Sequence, residues 1–484
     1  MAANKIPTEI VIKILNNFQS SRDLHSSLLV NRIWCKATIP ILWELPFGQD
    51  CSLDNKQKLR KKALCIRTYI SCMDTQARIF LAQNGFYLLS SPPQATFDYP
   101  SFTHKFIINN LVYFISKYSF KKSLSRRISK ILFCEIFQLI INRCKFIDSF
   151  KITEVPMNNS LRYSDLIGSI LKLPGVPEVF SKLESFTSTI IRVDLNLIGL
   201  YESLTLICDN ILNMYLSLNS DPQIESLEKL ISAQKQLENL SIAGSFYQLP
   251  NSLFWAIISQ KETLKSLRLN LVNLSNFKGK LASIGQFISL QELYIKHCYR
   301  LHNSDCLFLA SSFTQLNSFH YFHSRHIDRY PREFIIEILQ TANTNLKNIC
   351  LDLYETIPFD TFSTILNYCT KITELTFFNL SPEQVIAIFN NNFNELRSFS
   401  FGCEKEGFDA NELLCQMAEN VPESLEIITI KMDYDNPWIF SSDSLRKFFE
   451  GQTGQASQLP RILKIMDNKY FKIIEEYGIQ FDMK

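Results

Sequence analysis

Glycine is scarce in this chain, 13 among 484 residues, and it forms no Gly-rich run of the kind that cradles a nucleotide phosphate. Neither a Gly-x-Ser-x-Gly elbow nor a His-Glu-x-x-His helix occurs, so the common hydrolase and metalloprotease signatures are missing. The 13 cysteines are scattered, odd in number and without a Cys-x-x-Cys pair. That pattern points to a reducing compartment, with the thiols packed as small apolar side chains. Net charge is small, +3 at pH 7, which leaves no electrostatic footprint for nucleic acid. Long apolar runs are missing too. The stretch Ile131 to Ile141 is interrupted by Glu135 and Gln138, whereas a membrane helix needs roughly 20 consecutive apolar residues. The opening MAANKIPTEI lacks the basic and then apolar regions of a secretion signal. No catalysis, cofactor, nucleic acid or membrane is therefore expected, and the expected location is cytoplasmic or nuclear.

What is present is apolar density. Apolar residues make up 46% and charged residues 20%, a balance that supports folding throughout. A chain of this length exceeds one ordinary core, so it holds several domains or one elongated array.

Self-similarity decides for the array. The pattern apolar-x-x-apolar-x-apolar appears at Ile211-Met214-Leu216, Leu237-Leu240-Ile242, Leu264-Leu267-Leu269 and Leu290-Leu293-Ile295. It continues at Leu316-Phe319-Tyr321, Leu346-Ile349-Leu351, Ile372-Leu375-Phe377, Leu396-Phe399-Phe401 and Leu425-Ile428-Ile430, at intervals of 24–30 residues. That spacing is close to the roughly 20–29 residues of leucine-rich repeats. Fainter copies stand at Ile147-Phe150-Ile152 and Leu183-Phe186-Ser188, and a last strand is expected near Leu463-Ile465. Alternation at the fourth and sixth positions marks a strand with one face buried. Helical stretches such as Pro331 to Ala342 and Pro382 to Asn391 supply the crossovers that parallel strands require. The ninth position is Asn219 and Cys298 in two repeats but Val272, Tyr354 and Leu380 in others, so no regular Asn ladder is expected.

The first fifty residues read as three short helices. Pro7 suits a first helical position, and Ile10, Ile14, Leu15 and Phe18 share one face. Ser20 with Asp23 has the form of a capping box before Leu24 and Leu28. Asn31 can cap a third helix carrying Ile33, Trp34 and Ala37, which Pro40 should end or bend. The series Ile6-Pro7-x-Glu9-Ile10, Ile14-Leu15, Asp23-Leu24, Val30 and Trp34 resembles the F-box. The stretch from Val30-Asn31-Arg32-x-Trp34-Cys35 to Ile41-Leu42-Trp43 and Pro46-Phe47 is similar to fungal F-box-like proteins with repeats behind them. The chain departs from that pattern in Ile6, where Leu is usual, and in Asn31-Arg32. The resemblance implies docking to a Skp-type adaptor, and through it a cullin, by Ile6, Pro7, Ile10, Ile14, Leu15, Leu24, Leu28, Val30 and Trp34. It implies a substrate-recognition subunit of a ubiquitin ligase. A helical cap on the repeats, in an interaction scaffold outside any ligase, is the alternative.

The expected fold class is α/β. A three-helix F-box-like unit over residues 1–47 precedes a helical linker region over 48–145. A leucine-rich-repeat solenoid over 146–484 follows, with a parallel concave sheet and outer helices. The linker carries basic runs at Lys56 to Lys62 and Lys121 to Lys130, read as solvated helix faces, and a break at Ser90-Ser91-Pro92-Pro93. Ile128, Ile131, Leu132, Ile136, Leu139 and Ile140 mark one of its helices.

A target-binding surface is expected on the concave face, where the third, fifth and seventh repeat positions point outward. Arg268, Tyr294 and His320 hold fifth positions there; Lys296, Phe322, Asp352 and Phe378 hold seventh positions. Aromatic and Arg side chains are the usual anchors of protein interfaces. His297, Cys298, His302, Cys306, His320, His323 and His326 crowd the same region. Their spacing does not match the tight pairs of a structural zinc site, so they are read as surface histidines without a metal, with the His297 and His323 rings within reach of each other.

Overall fold

In a computed structural model, residues 6–18, 20–48, 56–86, 95–121, 125–153, 170–189, 197–218, 221–244, 250–275, 281–301, 313–323, 330–391, 393–403, 409–422, 424–430, 441–450 and 462–465 are described. The chain divides into two compact units, Met1–Leu237 and Glu238–Lys484.

The first unit opens with three helices, α1 (Thr8–Asn16), α2 (Ser21–Ser27) and α3 (Arg32–Trp43). Pro7 stands one residue before the first turn, as its N-cap. Asn31 caps α3 as its sequence suggests, its Oδ1 accepting the N–H groups of Ile33 and Trp34. Ser20 caps α2 through the Arg22 N–H at 3.1 Å, a single cap in place of the expected reciprocal box. Pro40 neither ends nor breaks α3, which runs on to Trp43. An interior Pro costs about 3 kcal/mol, and packing of the last turn offsets it. Trp43 lies 4.3 Å from the Tyr99 ring and 5.8 Å from Tyr69.

The residues after α3 are a packed body rather than a linker. They form α4 (Lys56–Cys72), α5 (Thr75–Gln83), α6 (Ile108–Lys121) and α7 (Arg126–Arg143), with strand β1 (Lys105–Ile107) between α5 and α6. On α7 the buried residues include Leu132, Ile136 and Ile140, the stripe its periodicity marks. The break expected at Ser90 to Pro93 lies outside the described residues. β1 pairs in parallel with β2 (Ser149–Thr153), Phe106 opposite Phe150. The sheet of this unit therefore begins about forty residues earlier than the repeat pattern indicates. β3 (Ser185–Thr189) and β4 (Asn213–Leu218) follow in chain order, all parallel. Phe106, Phe150 and Phe186 stack across the first three strands at 6.3 and 6.1 Å.

The second unit repeats the same construction. Strands β5 (Asn239–Gly244), β6 (Ser266–Asn270), β7 (Glu292–Lys296), β8 (Ser318–Phe322) and β9 (Asn348–Asp352) come first. β10 (Glu374–Leu380), β11 (Ser398–Cys403), β12 (Ile427–Ile430) and β13 (Ile462–Ile465) complete it. Each strand pairs in parallel with the next. The fourth repeat positions align across them: Leu267 faces Leu293, Leu293 faces Phe319, and Leu375 faces Ile349 and Phe399. These side chains and the sixth-position ones of β5 to β12 are buried, each contributing about 1.5–3 kcal/mol of apolar burial. Crossover helices include Asn251–Ile258, Arg332–Thr341, Phe359–Tyr368, Pro382–Phe389 and Ala410–Glu419.

A recurring hydrogen bond locks successive repeats. The carbonyl of each second position accepts the N–H groups of the second and third positions of the next repeat. Lys265 accepts from Gln291 and Glu292, Gln291 from Asn317 and Ser318, Asn317 from Lys347 and Asn348, all at 2.7–3.0 Å. Buried cysteines add to this: the Cys298 thiol donates to the Leu269 carbonyl at 3.5 Å and the Cys208 thiol to that of Phe180 at 3.2 Å. Burial pushes both thiols up to about 12. Among the described residues, no helix is long and apolar enough to cross a membrane.

Candidate functional site

Two surfaces carry the residues singled out by sequence. In the N-terminal helices, Val11, Leu15 and Ala37 form a small core, with Phe18, Leu24, Ile33, Trp34 and Ile41 packed against it. Leu15 is 0% exposed. It holds α1 against its neighbours and is unavailable to a partner, so it leaves the docking set. Leu24 and Trp34 serve mainly this core, and Leu28 is half-buried. The remaining docking residues, Ile6, Pro7, Ile10, Ile14 and Val30, are exposed. Ile10 and Ile14 stand four residues apart on one face of α1, and Ile6 lies just before its N-cap, Pro7. Ile12 and Leu29, which the sequence did not single out, are exposed as well, Leu29 at 87%. A small helical unit that keeps a core of its own and leaves this many large aliphatic side chains in water presents an apolar patch.

The second surface lies on strands β6 to β10. Arg268 is exposed, while Tyr294, Lys296, His320, Phe322, Asp352 and Phe378 are half-buried. The seven expected face residues thus all reach the surface. Cys350, the fifth position of β9, does not; it is buried. The Arg268 guanidinium forms an ion pair with Glu292 at 2.9 Å and lies 5.8 Å from the Tyr294 ring centre. Glu292 also accepts from the Ser266 hydroxyl at 2.9 Å. It is the site residue the sequence reading passed over, although the third-position rule places it beside Arg268. Tyr294 touches His320 and Phe322, with ring centres 5.6 and 5.3 Å apart. The Lys296 ammonium sits 5.4 Å above the Phe322 ring. Phe322 in turn meets Phe378 edge to face at 6.0 Å.

His320 is anchored by its Nε2, 2.8 Å from the Ser318 hydroxyl. Burial holds its pKa below the ordinary 6.5; Glu292 and Glu374 pull it up and Arg268 pushes it down. Hence the face at neutral pH carries a neutral imidazole beside a paired guanidinium and an ammonium resting on a ring.

The histidine cluster differs from its sequence reading. His323 is buried rather than on the surface, with Nδ1 3.1 Å from the Tyr321 hydroxyl. His297 Nδ1 donates to the His323 carbonyl at 2.8 Å, and the His297 ring stacks on Tyr354 at 6.5 Å. The contact between the two residues is thus ring to backbone. His297 and Tyr354 both adopt left-handed backbone, φ 49 and 60, a strained conformation for residues with a side chain. His302, Cys306 and His326 lie outside the described residues. Among the described residues no three of His, Cys, Asp or Glu come together as metal ligands.

Comparison with known proteins returned no matching family model and no matching curated protein.

Proposed function

We propose that this chain is the substrate-recognition subunit of a Skp–cullin–F-box type ubiquitin ligase. Helices α1 to α3 dock the Skp-type adaptor, and the face of β6 to β10, concave in a leucine-rich-repeat solenoid, holds a target protein. The chain works in the cytoplasm or nucleus and catalyses nothing itself. It supplies proximity and orientation while its partners perform the ubiquitin chemistry. The observation that carries this reading is the split within α1 to α3: Val11, Leu15 and Ala37 make a core, while Ile6, Ile10, Ile14, Leu29 and Val30 stay in water. An exposed apolar helix face is what a helix-binding partner covers.

Support for the target surface is chemical. Tyr294, Phe322, Phe378 and Arg268 are the side-chain types that dominate interface energetics, and here they touch one another. Affinity purification of the full chain and of its Ile10→Ala, Ile14→Ala variant, two exposed positions outside the small core, tests the reading. The full chain should bring down a Skp-type adaptor together with a target; the variant should keep the target alone. A target recovered from both without any adaptor would instead establish a repeat-based interaction scaffold.

A further inference from the structure

Charge is spread unevenly over the face of β5 to β10. At the third, fifth and seventh positions the basic side chains are Arg268 and Lys296, on the adjacent strands β6 and β7. Asp352 on β9 and Glu374 on β10 put acidic side chains at the other end. His320, between the two ends, is neutral at neutral pH. Glu292 lies at the basic end and is engaged through both oxygens. Its Oε1 meets Arg268 Nη2 at 2.9 Å; its Oε2 accepts from the same nitrogen at 3.0 Å and from the Ser266 hydroxyl at 2.9 Å.

Donors are left over at this end. Arg268 spends only Nη2 on Glu292, and its Nη1 and Nε make no hydrogen bond among the described residues. Lys296 is half-buried and has no carboxylate partner among the described residues; its ammonium rests on the Phe322 ring. A ring face attracts a cation but accepts none of the three N–H bonds in the manner of a carboxylate. The neighbouring Asn270 amide, in register with Lys296, makes no hydrogen bond among the described residues either. On β5 the residues opposite Arg268 and Asn270 are Ser241 and Ala243, too short to cover the exposed guanidinium.

We infer that the β6 to β10 face takes a segment of the target protein in which an Asp or Glu neighbours a large apolar residue. This rests on that face being the target surface. The carboxylate meets Lys296 and the unspent nitrogens of Arg268, and the apolar side chain packs on Phe322 and Phe378. Arg268 and Lys296 hold fifth and seventh positions of adjacent strands, so strand geometry sets their Cα atoms about 8 Å apart. Two long side chains at that separation can share one carboxylate. The charge available matches a carboxylate rather than a phosphate: one unpaired ammonium and one guanidinium already paired with Glu292 balance a single negative charge, whereas phosphorylated motifs are read by Arg clusters. Asp352 and Glu374 repel an acid at the far end, which fixes the direction in which the segment lies.

Selection of short random peptides displayed on phage against the full chain tests the inference. Peptides that no longer bind the Phe322→Ala, Phe378→Ala variant are those that use this face. Among them, Asp or Glu beside Phe, Tyr, Leu, Ile or Met should be enriched over the starting library. Fluorescence anisotropy then measures the tightest of these peptides. Changing its acid to the amide should weaken binding to the parent chain about tenfold, the loss of a charge-assisted hydrogen bond. The same change should cost about twofold or less in Lys296→Met, whose apolar stem still covers Phe322. Arg268→Gln provides the same comparison should Lys296→Met fold poorly. Ring-dependent peptides that carry no acid, or that bind both variants as they bind the parent, overturn the inference and leave the target face standing. If no recovered peptide depends on the rings, the inference falls together with the target face; adaptor co-purification still tests the ligase reading separately.

Discussion

Phe322 on β8 and Phe378 on β10 stand edge to face, 6.0 Å between ring centres, although β9 runs between their strands. The seventh position of β9 is Asp352, whose shorter side chain leaves room for the two rings to meet. Tyr294 and the Lys296 ammonium extend the contact from Phe322 toward β7. Rings already held by one another lose little freedom when a partner arrives, which suits them to anchor an interface.

The double substitution Phe322→Ala, Phe378→Ala should abolish target capture. Both rings are half-buried, so the stability loss should stay below the ~3–5 kcal/mol of a core Phe. Affinity purification followed by mass spectrometry reads the result, after circular dichroism shows unchanged folding. A set of captured proteins identical to that of the parent chain would move recognition elsewhere.

Leu375→Ala should cost about 2–5 kcal/mol, because Leu375 is fully buried between the fourth positions of β9 and β11. Thr376→Ala, one residue on and half-buried on the opposite face, should change stability by about 0.5 kcal/mol or less. Urea unfolding compares the two. Equal losses would contradict the alternation on which the repeat register rests.

That register was legible because leucine, isoleucine and phenylalanine hold most of the fourth and sixth positions from Phe150 to Ile465, with Ser188, Met214 and Tyr321 among the exceptions, and the strands β2 to β13 lie on those matches. β1 was not legible. Its first position is Thr103, polar where the pattern needs an apolar residue. The hydroxyl is buried but satisfied by the Tyr69 hydroxyl at 2.9 Å, a partner from a helix 34 residues away. The same kind of distant contact explains Pro40, tolerated because Trp43 packs on Tyr69 and Tyr99, and His323, whose N–H donates to the Asp352 carbonyl at 2.7 Å. In the candidate docking patch, sequence marked the apolar residues but not which of them the small core would consume. Leu15 and Ile14 are neighbours on one helix, and only packing against α3 separates their roles.

Stability should fall with pH below the ordinary histidine value, through His320. Its folded pKa lies below 6.5. As pH drops through 6.5 the unfolded chain takes up the proton first, and stability declines until pH passes the lowered folded value. His320→Gln should flatten this part of the curve, measured as urea midpoint against pH. A variant that loses stability as steeply as the parent over that window would show that His320 does not set the slope.

Cys208, Cys298, Cys369 and Cys403 should resist a colorimetric thiol reagent at pH 8 in the folded chain, since burial raises each to about 12 and the thiolate is the reactive form. All 13 cysteines should react once the chain is denatured. Rapid labelling of these four in the native state, located by peptide mapping, would contradict their placement between repeats.

The most direct measurement is co-purification of the Skp-type adaptor with the full chain and with its Ile6→Ala, Pro7→Ala variant. Both residues are exposed and lie outside the Val11, Leu15, Ala37 core, so the variant should fold with an unchanged thermal midpoint. The ligase reading predicts that the parent chain retains the adaptor and the variant loses most of it. Adaptor recovery that is absent from both, or equal in both, would contradict docking through this patch.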